Sequence, residues 1–400
     1  MVKQIFPPTI TGEGSFAAGG SVLDHRFGQS DPYTLGVEEE YMLLDGETFD
    51  LVQHIDTVLA AISGHELETQ INAELMQSVL EIATPVCHTA GDVERELRKL
   101  RSYVASVAHA DSLRVGSAGT HPFSLFERQR ITARDRYRHL VDQMQYVARR
   151  ELIFGLHIHV AVDDPDKAIQ IVNGLLPHLS SLLALSASSP FWRGELTGLE
   201  STRQIVFAAF PRSGPPPRFR DYADYAEVVG QLEKTGSIAD YTHIWWDVRL
   251  HPRLGTIEVR ICDAVTSLED TVALAAFCQA LVKLYSEQYE AGRDIPSYHR
   301  ILTTENKWLA ARYGLDAPVM DLATGRRNRV SIAQLVRRTL RDIEPHAREL
   351  GSDRELEGVR QILARGNGAD RQRRIFNANR DIVEVVHGIA DETERAAVAA

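Results

Sequence analysis

TLGVEEEYMLL, residues 34–44, is the stretch whose reading decides the fold. It has the composition of a buried β-strand, yet it carries three consecutive glutamates. Side chains alternate faces along a strand. Leu35, Val37, Glu39, Tyr41 and Leu43 therefore share one face, and Glu38 and Glu40 share the other beside Gly36. The strand rise puts the Cα atoms of Glu38 and Glu40 roughly 6.5–7 Å apart. In an apolar setting two such carboxylates repel and take up protons. A divalent cation between them removes the conflict, and hard oxygen ligands suit Mg²⁺. An edge strand with a solvated acidic face carries the same pattern, so this stretch alone leaves both readings open.

Four later stretches repeat the pattern. In INAELMQSVLEIATP (71–85), Val79, Glu81 and Ala83 share one face of a strand and Leu80 and Ile82 the other. A lone buried carboxylate such as Glu81 needs a cation, an arginine or the surface. Glu74 is less distinctive. In ELIFGLHIHVAVDD (151–164), His157 and His159 share a face opposite Leu156, Ile158 and Val160. An HxH pair of this kind binds metal or anion, or fills a core. YTHIWWDVRLHP (241–252) and GTIEVRICDA (255–264) read as a strand pair turning near Pro252–Gly255. Asp247 and Arg249 share a face of the first, Glu258 and Arg260 a face of the second. Cross-strand ion pairs alone also explain these charges.

The remainder reads as helix and loop. Residues 51–63 suggest a short helix. Thr89-Ala-Gly-Asp92 opens an amphipathic helix in a capping-box pattern. Residues 113–119 form a short strand, and an arginine-rich helix spans roughly 133–150. Asp164-Pro165 starts a long helix through about residue 187. Residues 188–217 are loop-rich and carry Arg203. Ser267 caps a helix to about 290, and Gly314 closes the helix in ENKWLAARYGLDA (305–317). Helices at 331–349, 353–364 and 370–389 complete a domain taken as 34–390, between an irregular extension, 1–33, and a tail, 391–400.

The formal net charge of −11 argues against a general nucleic-acid binder. Three cysteines, widely spaced and without CxxC, fit a reducing compartment. The run Leu175–Ala187 is broken by Pro177 and His178, so no membrane span is expected, and the N-terminus lacks a signal pattern. A cytoplasmic protein is the expectation. No GxxxxGK[ST] loop and no GxGxxG after a strand occur, so any nucleotide would be held through metal and arginine. A sheet face collecting these glutamates, imidazoles and arginines is a site.

GVEEEY, LEIATP, FGLHIHV and TIEVRICDA, in this order, resemble the YbdK-like carboxylate–amine ligases, or type 2 glutamate–cysteine ligases. The resemblance spans roughly 34–390. It implies an α+β, glutamine-synthetase-like catalytic fold: a curved, mainly antiparallel sheet with helices packed on its outer face. It implies ATP and Mg²⁺ as cofactors, small-molecule amino-acid and amine substrates, and a homodimer. Carried over by residue, Glu38, Glu40, Glu81, His157 and Glu258 are the metal ligands, and Arg260 contacts the transferring phosphoryl group. Arg203, Arg249 and His159 are substrate or nucleotide contacts. Two rivals stand beside this. One is a metal-dependent hydrolase, because HxH also opens amidohydrolase-type barrels, although those place it near the start of strand–helix repeats. The other is a family member that binds nucleotide without ligating.

Overall fold

In the computed structural model, residues 24–296, 298–322, 324 and 329–398 are described. The expected extension falls mostly on residues 1–23, outside the described residues. Residues 24–33 lie against the body: Phe27 is buried, Arg26 N–H donates to the Pro252 carbonyl and Gly28 N–H to that of Val162.

A seven-stranded sheet organises the chain. Its strands are β1 (Leu35–Asp45), β2 (Ile71–Ala73), β3 (Val79–Ala83), β4 (Leu113–Gly116), β5 (Gly155–Ala161), β6 (Val248–His251) and β7 (Thr256–Asp263). The order is β6-β7-β5-β1-β3-β2, with β4 also on β1, and every pair is antiparallel. β3 lies on one side of β1; β5 and β4 lie end to end on the other.

The strand alternation divides β1 as its sequence requires. Leu35, Val37, Tyr41 and Leu43 enter a core shared with the helices Ala90–Ala110, Pro165–Leu175, Leu268–Glu290, Ile332–Glu349 and Asp353–Arg365. Glu39 points into the same core. Its charge is met by Arg101, whose Nη2 and Nε donate at 2.5 and 3.0 Å, and by the Thr271 hydroxyl at 2.5 Å. Opposite them, Glu38 and Glu40 face a cleft. Further along that face Met42 and Leu44 pack on Val385, Val386 and Ile389 of the helix Ile382–Val398. One sheet face thus carries both a site and a second, smaller core.

Several helices depart from the expected boundaries. The 133–150 helix divides into Asp135–Met144 and Tyr146–Arg149 at Gln145, whose φ is +49°. The helix after Asp164 passes through a 3-10 turn at Leu176–His178, where Pro177 lacks an N–H to continue the ladder. This run, Pro165–Ser186, is long and apolar enough to cross a membrane, but 83% of its most apolar window is buried inside the protein, as befits a core helix. The 370–389 segment is two helices, Gly368–Asn379 and Ile382–Val398, parted by Arg380 in the left-handed region.

Residues 391–398 are helix rather than tail. Glu394 accepts the backbone N–H of Val115 at 2.9 Å and Arg114 Nε at 2.7 Å, and the Thr393 hydroxyl accepts Ser117 N–H. These contacts satisfy the open edge of β4, which anchors the final turns. Of 241–252, only Val248–His251 joins the main sheet; Asp247 sits before it and binds Lys307.

Candidate active site

All nine residues singled out from the sequence line one cleft of about 1230 Å³, counted to its open mouth. Sheet register brings them together. Glu40 lies opposite Glu81, Glu38 opposite His157, His159 opposite Glu258, and Glu258 opposite Arg249. The alternation within each strand then aims these side chains at the same space.

The contacts are short. Glu38 Oε2 meets His157 Nδ1 at 2.9 Å, and its Oε1 meets His159 Nε2 at 3.2 Å. His159 Nδ1 meets the Thr256 hydroxyl at 3.0 Å. Glu40 Oε2 accepts the backbone N–H of Gly155 at 2.6 Å. Glu258 takes Arg249 through Nε at 2.6 Å and Nη2 at 3.3 Å, and takes Arg260 Nη1 as well. Arg249 Nη1 also donates to the Thr242 and Ile244 carbonyls. Its donors are thereby engaged, and it fixes the Glu258 carboxylate rather than facing an open ligand position.

Arg203 lies on a short helix, Thr202–Phe207, inside the segment expected to be loop. The Ser201 side chain caps that helix on Gln204 N–H. Arg203 is buried, and its Nη1 and Nη2 reach the Ile261 and Arg260 carbonyls. Those carbonyls are free because β7 bulges between Val259 and Cys262 where it pairs with β5. A Cβ at Gly155 would lie 2.6 Å from Arg203 Nη2 and 3.1 Å from His157 Nε2, so a side chain there would displace the guanidinium.

Electrostatics separate the carboxylates. Burial raises Glu38, but His159 and His157 outweigh it and hold the group well below the usual range. Glu258 is likewise held low, against burial, by Arg249 and Arg260. Glu81 is pushed well above its ordinary value by burial and by Glu38, Glu74 and Glu40. Burial and Glu74 raise Glu40 to about 7. Burial and then Arg260 lower His157 to about 4, leaving its imidazole neutral and able to ligate.

Such a cluster is short of positive charge. Among the described residues, ligand atoms of Glu38, Glu81 and His157 lie within 4.8 Å of one another, and so do those of Glu38, His159 and Glu258. The two groups share Glu38, so two cations could be bridged by one carboxylate. Oxygen-rich sets of this kind suit Mg²⁺, with water or phosphate completing the shell. The paired histidines thus fall in different groups, and the open antiparallel sheet is not a strand–helix barrel. Both facts speak against the hydrolase alternative.

Other groups line the cleft that the sequence reading did not single out, Glu74 having been noted only as less distinctive. Glu74, Glu151, Arg136, Tyr137 and His251 line it, with Phe207, Phe210 and Trp245 forming an apolar wall. Glu74 follows β2, Glu151 precedes β5, and Arg136 and Tyr137 lie on the helix Asp135–Met144. Those four stand outside the alternation that made the strand residues visible, whereas His251 shares a face of β6 with Arg249.

A cupped antiparallel sheet with a buried cluster of carboxylates, imidazoles and arginines defines the glutamine-synthetase-like catalytic fold. The family model for glutamate-cysteine ligase family 2 matches residues 34–397, and the chain belongs to that family. A relative from Rubrobacter xylanophilus, named "Putative glutamate--cysteine ligase 2-1", is 44% identical over 374 residues, covering 94% of this chain and 98% of the relative. A second, "Putative glutamate--cysteine ligase 2" of Solibacter usitatus, is 41% identical over 90% of this chain and 93% of its own.

Among solved structures, the bifunctional glutathione synthetase of Pasteurella multocida aligns at a TM-score of 0.67 and 17% identity, over 92% of this chain. The match covers 53% of that enzyme, so this chain spans about half of it. The glutamate–cysteine ligase of Francisella tularensis, solved in complex with AMP, aligns at 0.63 and 13% identity, over 92% of this chain and 94% of that one. At these identities the likeness is one of fold.

Proposed function

We propose that this chain is an ATP- and Mg²⁺-dependent carboxylate–amine ligase of the glutamate–cysteine type. One observation carries the reading. Four strands bring Glu38, Glu40, Glu81, His157 and Glu258 into one cleft beside Arg260, and within it ligand atoms of Glu38, Glu81 and His157, and of Glu38, His159 and Glu258, gather closely enough to hold cations. Family membership supports the ligase class.

In the first step a substrate carboxylate oxygen attacks the γ-phosphorus of ATP, releasing ADP and leaving an acyl phosphate. In the second an amine attacks the acyl carbon; phosphate departs, the amine gives up a proton, and the amide remains. Mg²⁺ held by Glu38, Glu40, Glu81, His157 and Glu258 would neutralise the triphosphate's charge.

The chain's own groups orient and discriminate. Arg249 and Arg260 grip Glu258 from two sides and fix its carboxylate. Arg260 keeps a buried Nε–H without a partner, a donor available to an anion in the cleft. Neutral His157 is held in orientation by Glu38. No covalent enzyme intermediate is required.

The test is a screen of amino-acid pairs with ATP and Mg²⁺, reading phosphate release and product mass. Phosphate release that needs both substrates, with a product mass equal to their condensation, is expected. ATP binding without amino-acid-dependent turnover would instead establish a nucleotide-binding protein that does not ligate.

A further inference from the structure

Asp263, the last residue of β7, is fully buried, and three donors converge on its carboxylate. Oδ2 accepts the Ser188 backbone N–H at 3.0 Å and the Ser189 hydroxyl at 2.7 Å, and Oδ1 accepts the Ser201 hydroxyl at 2.8 Å. Each of those hydroxyls in turn accepts a backbone N–H from the first turn of the helix Thr202–Phe207. Ser189 takes that of Arg203 at 3.1 Å, and Ser201 that of Gln204 at 3.3 Å. A serine hydroxyl has one proton to give. Both give it to Asp263, so both turn lone pairs toward the helix. The carboxylate thereby orients two hydrogen bonds that it does not itself make. Gly119 leaves it the space: a Cβ there would lie 2.6 Å from Oδ2.

The same strand holds the far end of Arg203. Its Nη1 and Nη2 reach the Ile261 and Arg260 carbonyls, and Gln204 Nε2 reaches the Ile261 carbonyl at 2.6 Å. β7 therefore fixes Arg203 at its backbone and at its guanidinium, in step with Glu258 and Arg260 on that strand. Burial raises the pKa of Asp263, and the Arg203 charge and the three donors oppose it. Arg203 lines the cleft and keeps a buried Nε–H without a partner, a donor for a bound anion. We infer that Asp263 is the positioning residue for Arg203, acting through Ser189 and Ser201 to hold the guanidinium in a fixed place beside Arg260. The consequence for turnover rests on the ligase reading above; the hold itself does not.

Two measurements on the full-length protein test this. Amide hydrogen exchange reads the hold. Asp263→Asn keeps the side chain's size but puts a donor where an acceptor stands. It is expected to speed exchange across 202–207 at least about tenfold, while the core helix Leu268–Glu290 keeps its wild-type rate. Phosphate release with L-glutamate, L-cysteine, ATP and Mg²⁺ reads the consequence. Asp263→Asn is expected to lower kcat/KM about 10²-fold, as misplacing a binding group does. In an Arg203→Ala background the same substitution is expected to cost less than about threefold, because no guanidinium is left to position. A residue that only supports the fold would cost the same in both backgrounds. Should Asp263→Asn fail to fold, Ser189→Ala and Ser201→Ala cut the two links one at a time. Each is expected to speed exchange across 202–207 and to lose its effect on turnover in the Arg203→Ala background.

Exchange across 202–207 that stays at the wild-type rate in these variants overturns the inference. So does a loss of kcat/KM that persists undiminished when Arg203 is absent. If wild-type protein releases no phosphate in response to the amino acids, the ligase reading fails, yet the exchange rates still decide whether Asp263 holds Arg203, so the two failures are told apart.

Discussion

Replacing Glu40 by glutamine should stabilise the metal-free protein, and increasingly so as pH rises. Burial and Glu74 lift the folded-state pKa of Glu40 from an ordinary 4.5 to about 7. An acid whose folded pKa is raised binds its proton more tightly when folded. Stability is therefore lost as pH climbs from the unfolded value through the folded one. Linkage between those two values gives a loss of about 2.5 kcal/mol between pH 5 and pH 8. Glu40 is partly exposed, so solvent screening makes this a ceiling. Unfolding entropy of about 2.1 cal/mol/K per residue over 400 residues converts it to a shift of about 3 °C.

The assay is calorimetric melting of wild type and Glu40→Gln in chelator at both pH values. Taking the difference between the two proteins at each pH cancels the titrating groups that Glu40 does not act on; Glu81 and Glu151, which its charge raises, add to the same trend. The variant's advantage should grow by up to about 3 °C from pH 5 to pH 8. With millimolar Mg²⁺ it should shrink or reverse, because the cation stabilises the wild-type carboxylates through binding to the folded state. An advantage that does not change with pH, or one indifferent to Mg²⁺, would refute the reasoning.

Other substitutions probe other parts of the structure. Glu258→Gln and Arg260→Ala should each lower turnover by about 10²-fold or more, as loss of a fixed electrostatic group does; near-normal ligation in steady-state kinetics would reject their roles. Gly155→Ala puts a methyl group 2.6 Å from Arg203 Nη2 without backbone strain, since Gly155 is not at positive φ. It should cut kcat/KM about tenfold or more by shifting the guanidinium, while the melting temperature moves little. Arg101→Met leaves Glu39 buried without its counter-charge and should cost about 3–5 kcal/mol in urea unfolding. A cost below about 1 kcal/mol would refute the view that Arg101 is the counter-charge on which the burial of Glu39 depends.

The parts legible in the sequence were those written with a short period. β1, β3, β5 and β7 alternate apolar and ionisable residues, so the face carrying Glu38, Glu40, Glu81, His157, His159, Glu258 and Arg260 could be read directly. Capping chemistry marked helix starts at Thr89, Asp164 and Ser267, and each side chain does cap its helix. The breaks at Gln145 and Arg380 were not legible, because neither is the glycine or proline that usually signals a left-handed or broken turn. Arg203 was visible as an arginine but not as a buried one. Its burial depends on a bulge in β7, far along the chain, that exposes two carbonyls.

By itself the sequence determined which strands carry charge and on which of their two faces, because side-chain alternation is a local property of extended backbone. Only the tertiary structure decided that Glu40 meets Glu81, that Glu38 bridges two histidines, and that Glu39 finds Arg101 beneath the sheet. Strand order and register are set by packing between segments far apart in the chain, and a slip of one residue would exchange the two faces.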